Sequence, residues 1–207
     1  MEVHGYVENI ADKIRNKRAL DIGCLGSFRK TLLMRHNVWA KAAKEIIGID
    51  NNKEFLDLPV VKKRENIFYC DITNEEEVTR FLDRHGKFPH IIATDVIEHL
   101  GNMTSFLNNV KMFMALQSTL YLTTNNVRSL VWQAMWDGRM AFLENDDHIC
   151  WFDLDTLKVL LRRSGLKVHK HFYCFNKQDR QLADDHKIEW RPSLGRRIYL
   201  QIRKIDR

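Results

Sequence analysis

Ala19-Leu20-Asp21-Ile22-Gly23-Cys24-Leu25-Gly26-Ser27-Phe28 is the stretch from which the rest of the chain can be read. A short apolar run, Ala19 to Ile22, breaks at Gly23 and Gly26, and an amphipathic stretch follows. That order predicts a strand, a tight turn and a helix start, where an α/β protein brings backbone close to a ligand. Gly23 permits backbone angles that other residues avoid, and Gly26 has no Cβ to block an approach. Asp21 is a lone carboxylate in an apolar strand end, which packing alone leaves in need of a partner. A Gly-rich turn by itself fits a nucleotide-type site and a plain tight turn equally, so the residues downstream decide.

Going outward from that turn, residues 2 to 17 place Val3, Tyr6, Val7, Ile10 and Ile14 at helical spacing, predicting an amphipathic helix before the first strand. After the turn, Phe28, Leu32, Leu33 and Val38-Trp39 predict a helix packed on the sheet. Further strands are predicted at 45–50, 66–71, 90–95 and 119–124, and three of these four end in an acid: Asp50, Asp71 and Asp95. Asn74 or Thr73 caps a helix opening on Glu75-Glu76-Glu77, a cluster the helix dipole favours. Another helix presents Met103, Phe106, Leu107, Val110 and Phe113 on one face. This β-α alternation argues for a mostly parallel sheet with helices on both faces. Residues 127–152, rich in Trp and Met, predict a cover over the strand ends. Asp153 then caps a Leu-rich helix that stops at Gly165. Strands at 167–175 and 197–203 complete the series, with the polar stretch 176–195 predicted as an exposed excursion.

At 207 residues, 44% hydrophobic and 29% charged, the chain predicts one globular domain over 1–207 with a well-buried core. No apolar run reaches 18 residues and the first residues lack a signal peptide's basic and apolar regions, which predicts a cytoplasmic protein without membrane insertion. Cys24, Cys70, Cys150 and Cys174 are scattered, without zinc-type spacing, in keeping with a reducing compartment. The net charge of +6 is uneven: residues 1–157 carry −3 and residues 158–207 carry +9. A basic C-terminal third suits an anionic partner or a plain solvated face, and no Arg/aromatic repeat accompanies it. Lys62-Lys63-Arg64 reads as a solvated loop.

In open α/β sheets, ligands sit beyond the carboxyl ends of the strands. Asp21 with Gly23 and Gly26, then Asp50, Asp71 and Asp95, all fall at that edge. Asp50 follows Gly26 by 24 residues, near the offset at which an acid meets ribose hydroxyls. A turn or cap explains any one of these acids equally well.

Together, Leu-Asp-Ile-Gly-Cys, Gly-Ile-Asp, Cys-Asp-Ile and Asp-Val-Ile-Glu-His-Leu resemble the class I S-adenosylmethionine-dependent methyltransferases. His148-Ile-Cys-Trp-Phe-Asp and the Leu-rich helix extend the resemblance over nearly the whole chain, and it is most similar to members acting on saccharides or other small molecules. The resemblance implies a Rossmann-like, doubly wound, three-layer αβα fold with a mostly parallel seven-stranded sheet and an antiparallel C-terminal strand. It implies S-adenosylmethionine as cofactor and S-adenosylhomocysteine as product. Residue by residue, it implies that Asp21, Gly23 and Gly26 surround the methionine and ribose part. It puts Asp50 on the ribose hydroxyls, with Asn51 beside the adenine. It puts Asp71 on the adenine amine, with Ile72 packing on the ring. Thr94 and Asp95 lie near the sulfonium and the methionine end. The family's usual loop is Gly-x-Gly-x-Gly, whereas here Gly23, Leu25 and Ser27 alternate and Gly26 is out of step, so the loop is built differently.

Methyl transfer to oxygen or nitrogen needs alignment and, for a hydroxyl, a base. His148 and His99 are the candidates, although His148 equally suits a residue that pins the cover. Asp95, Glu98 and His99, at i, i+3 and i+4, would share a helix face as a divalent-metal site. Some ubiquinone-pathway methyltransferases resemble this, but Glu-His-Leu is widespread in the family without metal, and none is assigned. Trp132, Trp136, Trp151, Met135 and Met140 line the acceptor pocket or simply pack the cover. The leading expectation is O-methylation of a small molecule, with a sugar or glycan precursor favoured. An RNA or protein methyltransferase using the basic third is one alternative, and a non-catalytic cofactor-binding homologue is the other. The spacing after Gly23 misses the dinucleotide fingerprint of a nicotinamide dehydrogenase.

Overall fold

In the computed structural model, the described residues are 2–3, 5–26, 29–137, 148–175, 177–185, 188–189 and 191–205. One sheet organises them, built from β1 (Glu2–Val3), β2 (Arg18–Ile22), β3 (Glu45–Asp50), β4 (Ile67–Tyr69), β5 (Phe88–Thr94), β6 (Met114–Asn125), β7 (Leu166–Cys174) and β8 (Arg197–Lys204). Their order across the sheet is β1-β7-β8-β6-β5-β2-β3-β4. β8 runs antiparallel to both β6 and β7, and the other pairings are parallel. Seven strands match the expected doubly wound sheet. The eighth, β1, is a two-residue addition to the β7 edge.

Alternation along each strand sends side chains to two helical layers. Leu20 and Ile22 of β2 face α5 (Glu75–His85), α6 (Met103–Phe113) and α8 (Leu154–Arg163), within a cluster holding Phe81, Phe106, Phe113, Leu157 and Leu161. Ala19 faces the other way, toward α1 (Tyr6–Ile14) and α2 (Met34–Ala42), where Ile10, Ile14 and Trp39 are buried. Burying each such side chain contributes about 1.5–3 kcal/mol. A third cluster joins Leu25 and Leu33 to the short α3 (Lys53–Leu56) and α4 (Pro59–Lys62) through Phe55 and Val61.

The helix boundaries follow their local chemistry. Asn74 accepts from the Glu76 and Glu77 amides at the start of α5, and Asp153 forms a capping box with Thr156 at the start of α8. Gly165, at φ 73°, ends the region of α8 in the left-handed conformation.

Three expectations need correction. The helix predicted over residues 2–17 spans only Tyr6–Ile14, because Gly5 interrupts it and Glu2–Val3 pair with Tyr173–Cys174 as a strand. The helix predicted from Phe28 begins at Met34, after a 3-10 turn over Arg29–Thr31 and a left-handed Leu33; Ser27 and Phe28 lie outside the described residues. The supposed exposed excursion contains α9 (Lys177–Asp185), which packs against α7 (Leu130–Trp136) with Ala183 and Asp179 buried. Asp179 is paired with Arg196 at 2.9 Å, which is what makes its burial tolerable.

Of the predicted cover, α7 and residues 148–152 are described, and Asn126 bridges to Phe152. Met140, like all of 138–147, lies outside the described residues, as does the side chain of Met135. No helix of the described residues is long and apolar enough to cross a membrane.

Candidate active site

The strand order reverses between β2 and β5, with β3 and β4 on one side and β6 and β8 on the other. A crevice is expected at such a switch point. A cavity of about 460 Å³ lies there, lined by the turn Gly23–Gly26 after β2 and by Thr94 and Asp95 after β5. Its remaining walls come from Tyr6 and Val7 of α1, Arg35 and Trp39 of α2, Asn125, Trp132 of α7, His99, His148, Arg196 and Arg197.

The turn itself is made by two left-handed glycines, Gly23 at φ 73° and Gly26 at φ 75°. Three of its four amides are already used. Gly23 and Cys24 donate to the Ile49 carbonyl, and Leu25 donates to Asp50 Oδ2 at 3.0 Å. With those three N–H groups spent internally, the loop lacks the run of amides that a phosphate cradle aims at its ligand. The bend suits a neutral edge, such as a nucleoside or thioether.

Beneath the bend, buried Asp21 has found its partner. His36 Nδ1 donates to Asp21 Oδ2 at 2.8 Å, and Asn66 Nδ2 lies 3.4 Å from His36 Nε2. The tautomer with its proton on Nδ1 serves both neighbours. Burial pushes the Asp21 carboxyl up, while the His36 bond opposes it. Opposite Asp21 in the ladder stands Gly48, where a Cβ would fall 2.7 Å from Cys24 Sγ and 3.1 Å from His36 Cε1. Gly48→Ala is therefore expected to cost about 1–3 kcal/mol by overpacking. An unchanged urea midpoint in that variant would show that the layer under the bend yields freely.

Asp95 follows β5 with φ 54°, unusual for a non-glycine. Thr123 Oγ1 donates to its Oδ1 at 2.9 Å, Arg35 Nη1 to its Oδ2 at 3.0 Å, and Arg197 Nε reaches both oxygens at 3.1 Å. Glu98 lies on the next turn, fully buried, and its Oε2 accepts from Thr124 at 2.9 Å. Glu98 Oε1 is buried without a partner among the described residues. Burial, with the nearby Asp95 charge, pushes Glu98 up to about 8.

The ligand atoms of Glu98, His99 and His148 all lie within 4.8 Å of one another, so these three could hold a metal ion. The triad Asp95, Glu98 and His99 weighed from spacing is not the one that forms. Asp95 is taken by two arginines, residues 97–99 make a 3-10 turn, and His148 is brought in where the Ile149 and Cys150 amides donate to Glu98 O. The His99 and His148 rings meet edge to face at 4.7 Å, with Trp132 6.3 Å from His148 and Asn125 Nδ2 3.3 Å from His148 Nδ1.

Of the residues singled out from sequence, Asp21, Gly23, Gly26, Thr94, Asp95, His99 and His148 thus converge on one cavity. Asp50, Asn51, Asp71 and Ile72 stand outside its walls. Asp50 is turned onto the Leu25 and Asn52 amides, Asp71 accepts from Thr73 N and Oγ1 at 2.8 Å, and Ile72 is packed in the core. Among the tryptophans, Trp132 lines the cavity, while Trp136 and Trp151 are about half exposed outside it. Burial pushes both Cys70 and Cys174 up to about 12, which disfavours the thiolate form at these two positions. Sequence reasoning missed Tyr6, Arg35 and Arg197. The only signal for Arg197 was a basic C-terminal third, and that pointed outward.

A family model described as a methyltransferase domain matches residues 4–171. The "Ubiquinone biosynthesis O-methyltransferase" of Actinobacillus pleuropneumoniae serotype 7 is 27% identical over 125 residues, which cover 58% of this chain and 51% of that protein. The serotype 5b protein of the same name is 26% identical over the same shares. The chain spans about half the length of the curated relatives it matches. Among solved structures, a SAM-dependent methyltransferase of Thermotoga maritima, described as a possible histamine N-methyltransferase, aligns with a TM-score of 0.65 at 13% identity. That alignment covers 96% of this chain and 87% of the other. A SAM-dependent methyltransferase of Archaeoglobus fulgidus aligns with a TM-score of 0.64 at 18% identity, covering 97% and 95%. At such identities the structural likeness establishes the fold.

Proposed function

The chain belongs to the methyltransferase domain family, and from that premise we propose that it methylates a hydroxyl group of a small molecule, with S-adenosylmethionine as donor. The observation that carries this reading is the shared hollow. The glycine bend, Asp95, His99, His148 and Trp132 all border it. S-adenosylmethionine, when bound, supplies a methyl group on a positively charged sulfur. The spent amides of Gly23, Cys24 and Leu25 fit such a ligand, since they do not wait for a phosphate.

The protein's own work is then alignment and proton removal. Trp132 and His148 offer ring faces to an acceptor, and a ring nitrogen of His148 or His99 takes the hydroxyl proton. The curated relatives carry O-methyltransferase in their names, which supports oxygen as the acceptor atom. Neither they nor the cavity walls single out a saccharide, and an aromatic hydroxyl suits the Trp132 side equally well.

A second reading follows from the orphaned Glu98 Oε1. A divalent cation held by Glu98, His99 and His148 would give that oxygen its partner and polarise an acceptor hydroxyl. The RNA or protein alternative loses part of its footing, because Arg196 and Arg197 of the basic third are paired inward with Asp179 and Asp95. Calorimetry with S-adenosylmethionine and S-adenosylhomocysteine tests the donor; binding of neither would sink the proposal, and binding of both without turnover would favour the non-catalytic cofactor-binding alternative. Salt-sensitive affinity for RNA would favour the macromolecular acceptor.

Asp50→Ala is expected to weaken donor binding by about 1–3 kcal/mol. The expectation joins two roles: acceptor from ribose hydroxyls, and support for the Leu25 amide in the bend. Unchanged calorimetric affinity would remove Asp50 from the donor site.

A further inference from the structure

We propose that the open edge of β7, with the basic groove beside it, docks an extended acidic segment of a partner protein as an added strand. The groove shares no lining residue with the cavity described above. β7 runs parallel to β6, since both oppose β8, so Leu166 and Val168 lie at the end of the sheet away from the strand ends around that cavity.

The first observation is an unfinished edge. On its outer side β7 pairs at Tyr173 and Cys174, where Glu2 and Val3 of β1 are added in parallel. Along residues 166–172 no strand of the described residues pairs on that side. Every second residue of an edge strand turns its N–H and C=O away from the neighbouring strand. β1 shows that this edge accepts a strand, and the rest of the edge offers the same groups to another.

The second observation is the groove and its two faces. A cavity of about 410 Å³ is lined by Lys158 and Arg162 of α8, by Leu166, Val168 and His171 of β7 and by Ile205. Lys158 and Arg162, four positions apart, share one face of α8. The opposite face of the sheet is basic as well. Lys167 is in register with Arg203 and Lys170 with Gln201, on the face away from Val168 and Ile202, and Lys170 and Arg203 are exposed there. Alternate side chains of an added strand would therefore meet cations on both faces, which suits acidic residues at successive positions.

The third observation is charge balance. Lys158 lies 3.7 Å from Asp155, but Arg162, Lys170 and Arg203 make no ion pair among the described residues. Arg196 and Arg197 of the basic third are spent inward on Asp179 and Asp95, whereas these cations face out. A second copy is a poor occupant, because β7 against β7 would set the same cations against one another. The bulge between Val168 and Lys170 deters such pairing further. A nucleic acid fits less well, since its phosphates offer no donors to the edge carbonyls. An acidic strand answers the amides, the carbonyls and the charge together.

The test uses a fluorescein-labelled peptide, Val-Glu-Glu-Val-Glu-Glu-Val-Glu-Glu-Val, whose glutamates fall on both faces of a strand. Anisotropy with the whole chain is expected to show binding, and hydrogen exchange over residues 166–172 should slow. The same peptide with every internal amide N-methylated keeps its charge and loses its strand donors, and should bind at least about tenfold more weakly. Arg162→Glu combined with Lys170→Glu reverses one cation on each face and should weaken the unmodified peptide by about tenfold. Circular dichroism reports whether that variant is folded; if it is not, the N-methylated peptide still decides on the wild-type chain. Equal binding of the two peptides would reduce the site to charge alone and overturn the proposal. So would no binding of the unmodified peptide, wild-type affinity in the folded double variant, or tighter binding of oligouridine. A chain that is dimeric with residues 166–172 already protected would give the edge to a second copy and overturn it too.

Discussion

An Asp95→Ala variant is expected to lose about 3 kcal/mol of folding stability, the lower end of the cost of breaking a buried ion pair by removing one partner. The lower end applies because Arg35 and Arg197 keep 28% and 32% of their side chains exposed, so water screens part of the stranded charge. Alanine at φ 54° adds about 1–2 kcal/mol of backbone cost, which asparagine escapes because it tolerates the left-handed region. Asp95→Asn should therefore lose less than Asp95→Ala, and the gap between them reports the backbone part together with the acceptor oxygen that asparagine keeps. The acid dependence gives a second readout. Burial pushes the Asp95 carboxyl up, but the charges of Arg197 and Arg35, with bonds from Arg197 and Thr123, hold it down at about 2. A carboxyl depressed in the fold contributes stability that is present above its unfolded pKa near 3.8 and is lost as pH falls from about 4 toward 2. The contribution is about 2 kcal/mol. Urea unfolding at pH 7 and across that acid window should show a limb in wild type that the Asn variant lacks. A variant with the wild-type midpoint and the wild-type acid limb would mean that the arginines are satisfied by water.

Asp95 also shows where sequence reasoning stops. The strand ends are local features: Ile22, Ile49 and Ala93 sit in apolar runs, and glycines or acids punctuate them. The caps Asn74 and Asp153 and the stop at Gly165 are local as well, and so could be read directly. Which distant side chain completes a charge is not local. Arg197 lies 102 positions after Asp95, on a strand whose antiparallel placement decides that it turns inward. Asp21's need for a partner is visible in an apolar run, but His36 belongs to α2, which buries His36 and leaves Met34 and Val38 exposed. Hydropathy therefore misreads that helix's face. Glu2–Val3 make a strand only because Tyr173–Cys174 supply the pairing, so no local pattern marks them. In α9, buried Asp179 and exposed Gln181 make a helix look like solvated loop until Arg196 is seen to pair with Asp179. Asp50 and Asp71 were placed at their strand ends, but an acid at such a position bonds nearby amides as readily as a ligand, and both do so.

Replacing His148 by alanine is expected to lower kcat by about 10²- to 10⁴-fold, the range for loss of a positioned base. Affinity for S-adenosylhomocysteine should stay within about twofold, because a base acts on the acceptor's proton and not on the donor. The size of that fall does not by itself separate a base from a metal ligand, so the neighbouring variant decides. Glu98→Gln keeps an acceptor oxygen for Thr124 and fills the same volume, but a carboxamide is a far poorer ligand for a divalent cation. If His148 acts as a base alone, Glu98→Gln should stay within about threefold of wild type, and a chelator should change nothing. If the cation reading holds, His148→Ala, His99→Ala and Glu98→Gln fall together, chelation reproduces the loss in wild type, and one divalent ion restores it. Rescue of His148→Ala by added imidazole, without added metal, would argue for proton transfer. A His148→Ala protein that turns over acceptor at the wild-type rate would exclude both roles and leave the ring as a pin between Asn125 and Trp132. That outcome is distinguishable from misfolding by the retained S-adenosylhomocysteine affinity, since the glycine bend and Asp95 belong to other elements.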